Sequence, residues 1–187
     1  MPLLMLKDLP RYECLLAAAQ QFPDLDPSAT EAYLHLLRTS DEAFRVITTN
    51  LNQNGLSQGR FTVLMLLLDK GTGRPCASTP AELADKAGVT RATMTGLVDT
   101  LERDGMVTRQ PDPEDRRMMS VALTDKGVAF IKEVLPGHFR RMAALMGSLS
   151  ESERQILVRL LTKILTQADT VEPPHRSDTE GTFPVHV

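Results

Sequence analysis

The chain has no tryptophan, two tyrosines and six phenylalanines among 187 residues, so aromatics make up 4% of it. That scarcity argues against a platform on which single-stranded bases would stack. Cysteine is almost as rare. Cys14 and Cys76 have no metal-ligand spacing, which predicts a reduced chain rather than a disulfide framework. Cys14 stands beside Glu13, which would disfavour thiolate, and Cys76 lies two residues after Arg74; both are expected to be inert thiols. The histidines, His35, His138, His175 and His186, keep no spacing with cysteine or carboxylate that would make a metal site or a triad. No metal, no cofactor and no enzymatic activity are therefore expected. No apolar run is long enough to span a membrane, and the segment from Met1 to Glu13 is too weakly apolar for a signal peptide, so a cytoplasmic protein is expected. Excess positive charge is missing too. The net charge is −3, so a nucleic-acid face would have to be locally basic on an acidic whole.

What the chain does have is 42% apolar residues, enough for a sizeable core, arranged with helical periodicity between clear caps. Tyr12 to Phe22 is predicted as a short helix with an apolar stripe at Leu15, Leu16, Ala19 and Phe22. Ser28 with Glu31 reads as a capping box opening a helix to about Asn52. Ser57 caps a helix that is apolar on most sides, from Phe61 to Leu68, and should be buried. A loop follows from Asp69 to Cys76. Thr79-Pro80-Ala81-Glu82 then combines a capping box with proline in the first turn, and Gly88 ends that short helix. Thr90 caps the next helix, with Met94, Leu97, Val98 and Leu101 facing inward and Gly105 as its stop. Two short strands, Val107 to Arg109 and Ser120 to Leu123, flank a charged turn from Gln110 to Met118. Thr124 caps a long helix to about Met146, which Pro136-Gly137 should kink or split. Ser150 with Glu153 opens the last helix, to about Ala168, whose apolar face is too wide for a peripheral helix. The tail beyond it, residues 169–187, is polar and predicted to be disordered.

The stretch from Ser78 to Leu123 thus reads as a helix-turn-helix followed by a β-hairpin wing. A helix that reads a major groove needs small polar residues at its N-terminal end and apolar residues on the opposite face. Arg91, Thr93, Thr95 and Gly96 supply the first, and Met94, Val98 and Leu101 the second. Arg91 would take guanine or a phosphate, and the two threonines either. Arg116 and Arg117 at the hairpin tip would suit a narrow minor groove, with a neighbouring carboxylate to fix the rotamer. Between Thr79 and Gly127 acidic residues outnumber basic ones, so placement rather than net charge must carry DNA contact.

These residues resemble a known family. Leu56 to Leu64, Leu83-Ala84, Thr93 to Val98, and above all Leu101-Glu102-Arg103-Asp104-Gly105-Met106-Val107-Thr108-Arg109 running through Asp112-Pro113-Glu114-Asp115-Arg116-Arg117 to Leu123-Thr124-Asp125-Lys126-Gly127 are similar to MarR-family winged-helix regulators. The resemblance covers about Ala29 to Gln167. Phe130 to Pro136 is also similar to the multidrug-efflux-regulator branch. The resemblance implies a homodimer with intertwined terminal helices and a repressor on a pseudo-palindromic operator in double-stranded DNA. It also implies release by a small aromatic or phenolic acid bound between the dimer platform and the DNA-binding lobe. It further implies Arg117, with Arg116, as the minor-groove arginine, Asp115 as its brace, and Thr93 and Thr95 as major-groove contacts. Gly96 departs from the family, which often has a basic residue there.

The fold class expected is therefore mainly α with a small β-wing: a winged helix-turn-helix domain with an N- and C-terminal helical dimerisation region. The expected layout is an extension over 1–27, dimerisation helices over 28–55 and 125–168, and a DNA-binding lobe over 56–124. Tyr33, His35, Arg38 and Arg60 are the candidate groups for an acidic effector. A winged-helix module that binds protein rather than DNA is the alternative, favoured by the acidic charge balance and by Gly96.

Overall fold

The computed structural model describes residues 8–68, 72–111, 118–168 and 170–171. Its elements run α1 (Tyr12–Ala19), α2 (Pro27–Gln53), α3 (Gln58–Leu66), α4 (Pro80–Ala87), α5 (Arg91–Arg103), β1 (Val107–Pro111), β2 (Met119–Leu123), α6 (Asp125–Leu145) and α7 (Glu151–Ala168). The fold is mainly helical with one small antiparallel sheet, as expected. The contacts divide the chain into two units, Met1–Leu145 and Met146–Val187. The predicted disordered tail falls, beyond its first residues, outside the described residues.

Local capping explains most boundaries. Thr79 Oγ1 accepts from the Glu82 amide while the Glu82 carboxylate accepts from the Thr79 amide at 2.9 Å, a complete capping box with Pro80 at the first helical position. Ser57 and Thr90 cap α3 and α5 in the same way from one side. The start of α2 differs from expectation. Asp26, not Ser28, is the cap; its Oδ1 accepts from the amides of Ser28 and Ala29 at 2.9 and 3.0 Å, with Pro27 as the first helical residue. Those bonds, that of Ala29 first, hold the Asp26 carboxyl below its ordinary pKa. Helix α1 stops at Ala19, short of Phe22. Leu15 is its buried residue, whereas Phe22 is exposed and offers no burial to extend the helix.

Helix α3 lies at the centre of the first unit. Val63, Leu64 and Leu67 have no exposed surface and share a core with Leu51, Leu83 and Leu101. Each such leucine contributes roughly 2 kcal/mol of apolar burial. Helices α3, α4 and α5 pack on one another, and α2 packs on α1 and α6.

The wing is longer than expected. Its strands pair in register from Val107 opposite Leu123 to Pro111 opposite Met119, so Gln110 and Pro111 belong to the ladder rather than to the turn, and the second strand begins one residue earlier, at Met119. Ser78 adds a further bridge on the other side of β2, exchanging both backbone bonds with Val121 at 3.1 and 2.9 Å. This makes β2 the middle strand.

Helix α6 is not split: it runs from Asp125 to Leu145 through Pro136-Gly137, with Ile131, Val134 and His138 buried on one side across the missing amide. Its start is welded to the wing. Thr124 Oγ1 accepts from the Gly127 amide at 3.0 Å and donates to the Gly105 carbonyl at 2.7 Å. Gly127 is required there, since a methyl group would run into the Met106 carbonyl. His138, 9% exposed, packs its ring on Phe61 with centroids 4.7 Å apart, and its Nδ1 has no hydrogen-bond partner. Burial holds its pKa below the ordinary 6.5.

Two outcomes follow. Gly127→Ala should destabilise the fold by about 2–3 kcal/mol through overpacking against backbone, read as a lower urea midpoint; an unchanged midpoint would show that the Met106 carbonyl can move aside freely. Burial favours the neutral form of His138 in the fold, so its stabilisation is complete above the ordinary histidine value and is lost as pH falls through that value towards its lower folded one. His138→Phe should therefore flatten the fall in melting temperature between about pH 7.5 and 5.5. Parallel curves for both proteins would count against a depressed His138.

Candidate nucleic-acid interface

The turn between α4 and α5 is made by Gly88, whose φ of 64° is a left-handed conformation that a side chain would strain. The Val89 amide bonds back to the Ala84 carbonyl at 3.1 Å, and Thr90 then starts α5. Met94, Val98 and Leu101 are fully buried, docking α5 on α3 and α4. The opposite face is open: Arg91, Thr93, Thr95 and Gly96 are all exposed.

The hydroxyls on that face are already oriented. Thr93 Oγ1 is 2.9 Å from Thr90 Oγ1. Thr95 Oγ1 donates to the Arg91 carbonyl at 2.9 Å, which leaves its lone pairs and methyl group facing out. In this rotamer Thr95 is an acceptor, suited to an exocyclic amine of adenine or cytosine. Around Gly96 a Cβ would meet nothing within 4 Å, so the position has room for a long side chain that this sequence omits.

The far end of α5 is fixed by four residues from elsewhere in the chain. Arg60 Nη1 pairs with Asp104 Oδ2 at 2.7 Å, and its other terminal nitrogen donates to the Gly55 carbonyl. Lys126 Nζ donates to the Asp104 carbonyl at 2.7 Å. Thr124 and Gly127 complete the junction at Gly105 and Met106. Two cations at the carbonyl end of a helix also oppose its dipole favourably.

On the wing stem, Arg109 reaches across to α5. It pairs with Asp99 at 2.5 Å and with Glu102, and its own amide donates to Glu102 Oε1 at 3.1 Å. The Asp99 bond above all raises the Arg109 pKa. Reasoning from sequence missed this cluster, because its members are seven and ten residues apart across a helix–strand junction. The tip residues Asp115, Arg116 and Arg117 lie outside the described residues.

The candidate effector groups do not form one cluster within a chain. Tyr33 is 60% exposed on α2, His35 is exposed beside it, and Arg38 pairs with Glu42 at 3.1 Å. Arg60 is anchored at Gly55, past the end of α2, roughly 20 Å from Arg38 by helical rise. His138, Asn50 and Gln58, which sequence reasoning did not single out, each carry a buried polar atom with no partner. Cys14 is an exposed free thiol; Cys76 is half-buried, its sulfur 3.8 Å from the Leu66 carbonyl. Among the described residues there is no cluster of metal-ligating side chains and no helix long and apolar enough to cross a membrane.

Comparison with known proteins agrees with this geometry. Residues 56–119 match the MarR family profile. The chain is 38% identical to the HTH-type transcriptional repressor YetL of Bacillus subtilis, over 83% of this chain and 92% of that one. A Bordetella bronchiseptica structure titled for the regulation of BpsR DNA binding by 6-hydroxynicotinic acid superposes with a TM-score of 0.59 at 27% identity, covering 70% of this chain and 90% of that one. A mutant MarR from Escherichia coli, complexed with operator DNA, shares the fold, with a TM-score of 0.63 at 24% identity over 76% of this chain and 99% of that one. With its docked reading helix, its wing and these relatives, the chain belongs to the MarR family of winged helix-turn-helix transcriptional regulators.

Proposed function

We propose that the protein is a cytoplasmic, homodimeric repressor of a pseudo-palindromic operator, released when a small aromatic or phenolic acid binds. The observation that carries the reading is the face of α5. Its first two turns present Arg91, Thr93 and Thr95 to solvent over a fully buried docking side, which is what insertion into a major groove requires. Arg116 and Arg117, with Asp115 as brace, would serve the adjacent minor groove. Residues 56–124 would form the DNA-binding lobe, and 28–55 with 125–168 the dimerisation region.

Exposed apolar surface supports pairing. On α7, Ile156, Leu160 and Ile164 form one row and Leu161 and Leu165 another, and no residue of that helix is buried. On α2, Tyr33 and Phe44 are also exposed. Unpaired apolar stripes of this extent mark an interface, and a two-fold partner would match a palindromic site. For the effector, the support is the unpartnered polar atoms of Asn50, Gln58 and His138, together with the aromatic acid named for the BpsR relative. Tyr33, His35 and Arg38 offer further polar groups; Arg60 would have to leave Asp104 to join them.

A gel shift on the chain's own upstream region tests the reading. Specific retention should appear at nanomolar protein, on the order of typical specific affinities, and fall when aromatic or phenolic acids are added. Arg91→Ala should cost about 1–3 kcal/mol of operator binding, and Arg117→Ala should lower the salt slope by about 1. Affinity untouched by both changes would remove the groove assignment, and a complete lack of specific retention would favour a protein-binding module. Sedimentation tests the pairing: the wild-type chain should run as a dimer, and Leu161→Asp with Leu165→Asp as a monomer with weakened DNA binding. A wild-type chain at monomer mass would refute it.

A further inference from the structure

The wing is a two-stranded hairpin, and such a hairpin is marginal unless something outside it holds it. Its root is held by Val107 in the core and by the Ser78 bridge on β2. Neither of those contacts reaches the exposed flank of α5. Arg109 does. It stands in the middle of β1, opposite Val121, with its side chain 26% exposed. Its guanidinium forks between Asp99 and Glu102, one helical turn apart on α5, and Glu102 also takes the Arg109 amide. The planar fork of arginine suits two carboxylates at fixed spacing in a way the point charge of lysine does not.

We propose that Arg109 is a positioning residue that locks the wing stem to the reading helix, so that the major-groove and minor-groove elements meet DNA at one fixed separation. This rests on the DNA-binding reading above. Without the clamp, the wing would have to be ordered at the moment of binding, and that ordering lowers affinity. A competing effect has to be separated from it. Asp99 and Glu102 repel phosphate, and Arg109 offsets part of that charge, so its removal would weaken binding even with no positioning role.

The test uses the full chain and a duplex that the wild-type chain selects from a random-sequence pool. Affinity is measured alongside two protections on that duplex, guanine N7 in the major groove and hydroxyl-radical cleavage in the minor groove. Arg109→Gln should weaken binding about tenfold and lose minor-groove protection while guanine protection persists at saturating protein. Arg109→Gln with Asp99→Asn leaves the cluster's net charge as it was and should stay weakened; recovery to wild-type affinity would show that charge, not position, is at work. Asp99→Asn alone changes an exposed residue and should not unfold the lobe. Positioning predicts that it lowers minor-groove protection relative to major; simple charge predicts tighter binding with the ratio unchanged, which would overturn the proposal. Arg109→Lys should recover only part of the loss. In the free protein, amide exchange in β1 and β2 should quicken in Arg109→Gln while that of α3 stays as in wild type; unchanged wing exchange would also overturn it. If the wild-type chain selects no duplex, the DNA-binding reading fails, and the exchange result still decides whether the clamp orders the wing.

Discussion

The three residues that follow α5 hold the architecture together. Asp104, Gly105 and Met106 receive Arg60 from the start of α3, Lys126 and Gly127 from α6, and the Thr124 hydroxyl from between the wing and α6. A helix end leaves carbonyls without partners; here the amides of Asp104, Gly105 and Met106 meet those of Thr100, Glu102 and Leu101, and the carbonyls of Asp104, Gly105 and Met106 are in turn met by Lys126 and Thr124. Gly105, at a φ of 70°, lets the chain turn there. The result is that α3, α5, the wing and α6 share one fixed point.

That arrangement clarifies how an acidic protein of a DNA-binding family leaves the first turns of α5 open. Among the described residues from 56 to 124, four carboxylates have partners within the chain. Asp104 is held by Arg60, Asp99 and Glu102 by Arg109, and Glu82 by the Thr79 amide. They act as internal anchors, while Arg91, Thr93 and Thr95 stay exposed at the other end of α5, where amides at a helix start favour phosphate. Charge is therefore segregated along one helix: the reading end is open and the far end is neutralised from within.

Much of this was legible in the sequence because caps and turns are local. Thr79 with Glu82, Gly88 and Thr90 are separated by only a few residues, and each geometry follows from chemistry within one helical turn. Where two local signals competed, sequence alone chose wrongly: Asp26 and Ser28 both suit a cap, and Asp26 prevails because one oxygen reaches the two amides that follow Pro27. Pro136 left both a kink and a split open, and the helix is not split. The lost hydrogen bond is visible in the sequence, but the burial of Ile131, Val134 and His138 that offsets it is not. The Ser78–Val121 bridge and the Arg109 cluster were invisible because they join residues that no periodicity links. The open face of α5 could be read in advance; the absence of a single effector cluster among Tyr33, His35, Arg38 and Arg60 could not, since it depends on the Arg60 side chain turning to Gly55 and Asp104.

The register of the wing has one more consequence. Arg109 and Val121 face each other without exchanging backbone bonds: Val121 turns its amide to Ser78, and Arg109 turns its own to Glu102. The outer rim of β1 is thus capped at Arg109 by a carboxylate and at Pro111 by a residue with no amide proton. A strand from another molecule would find few donors along that rim to zip onto. The described rim of the hairpin stem therefore offers little for edge-to-edge self-association.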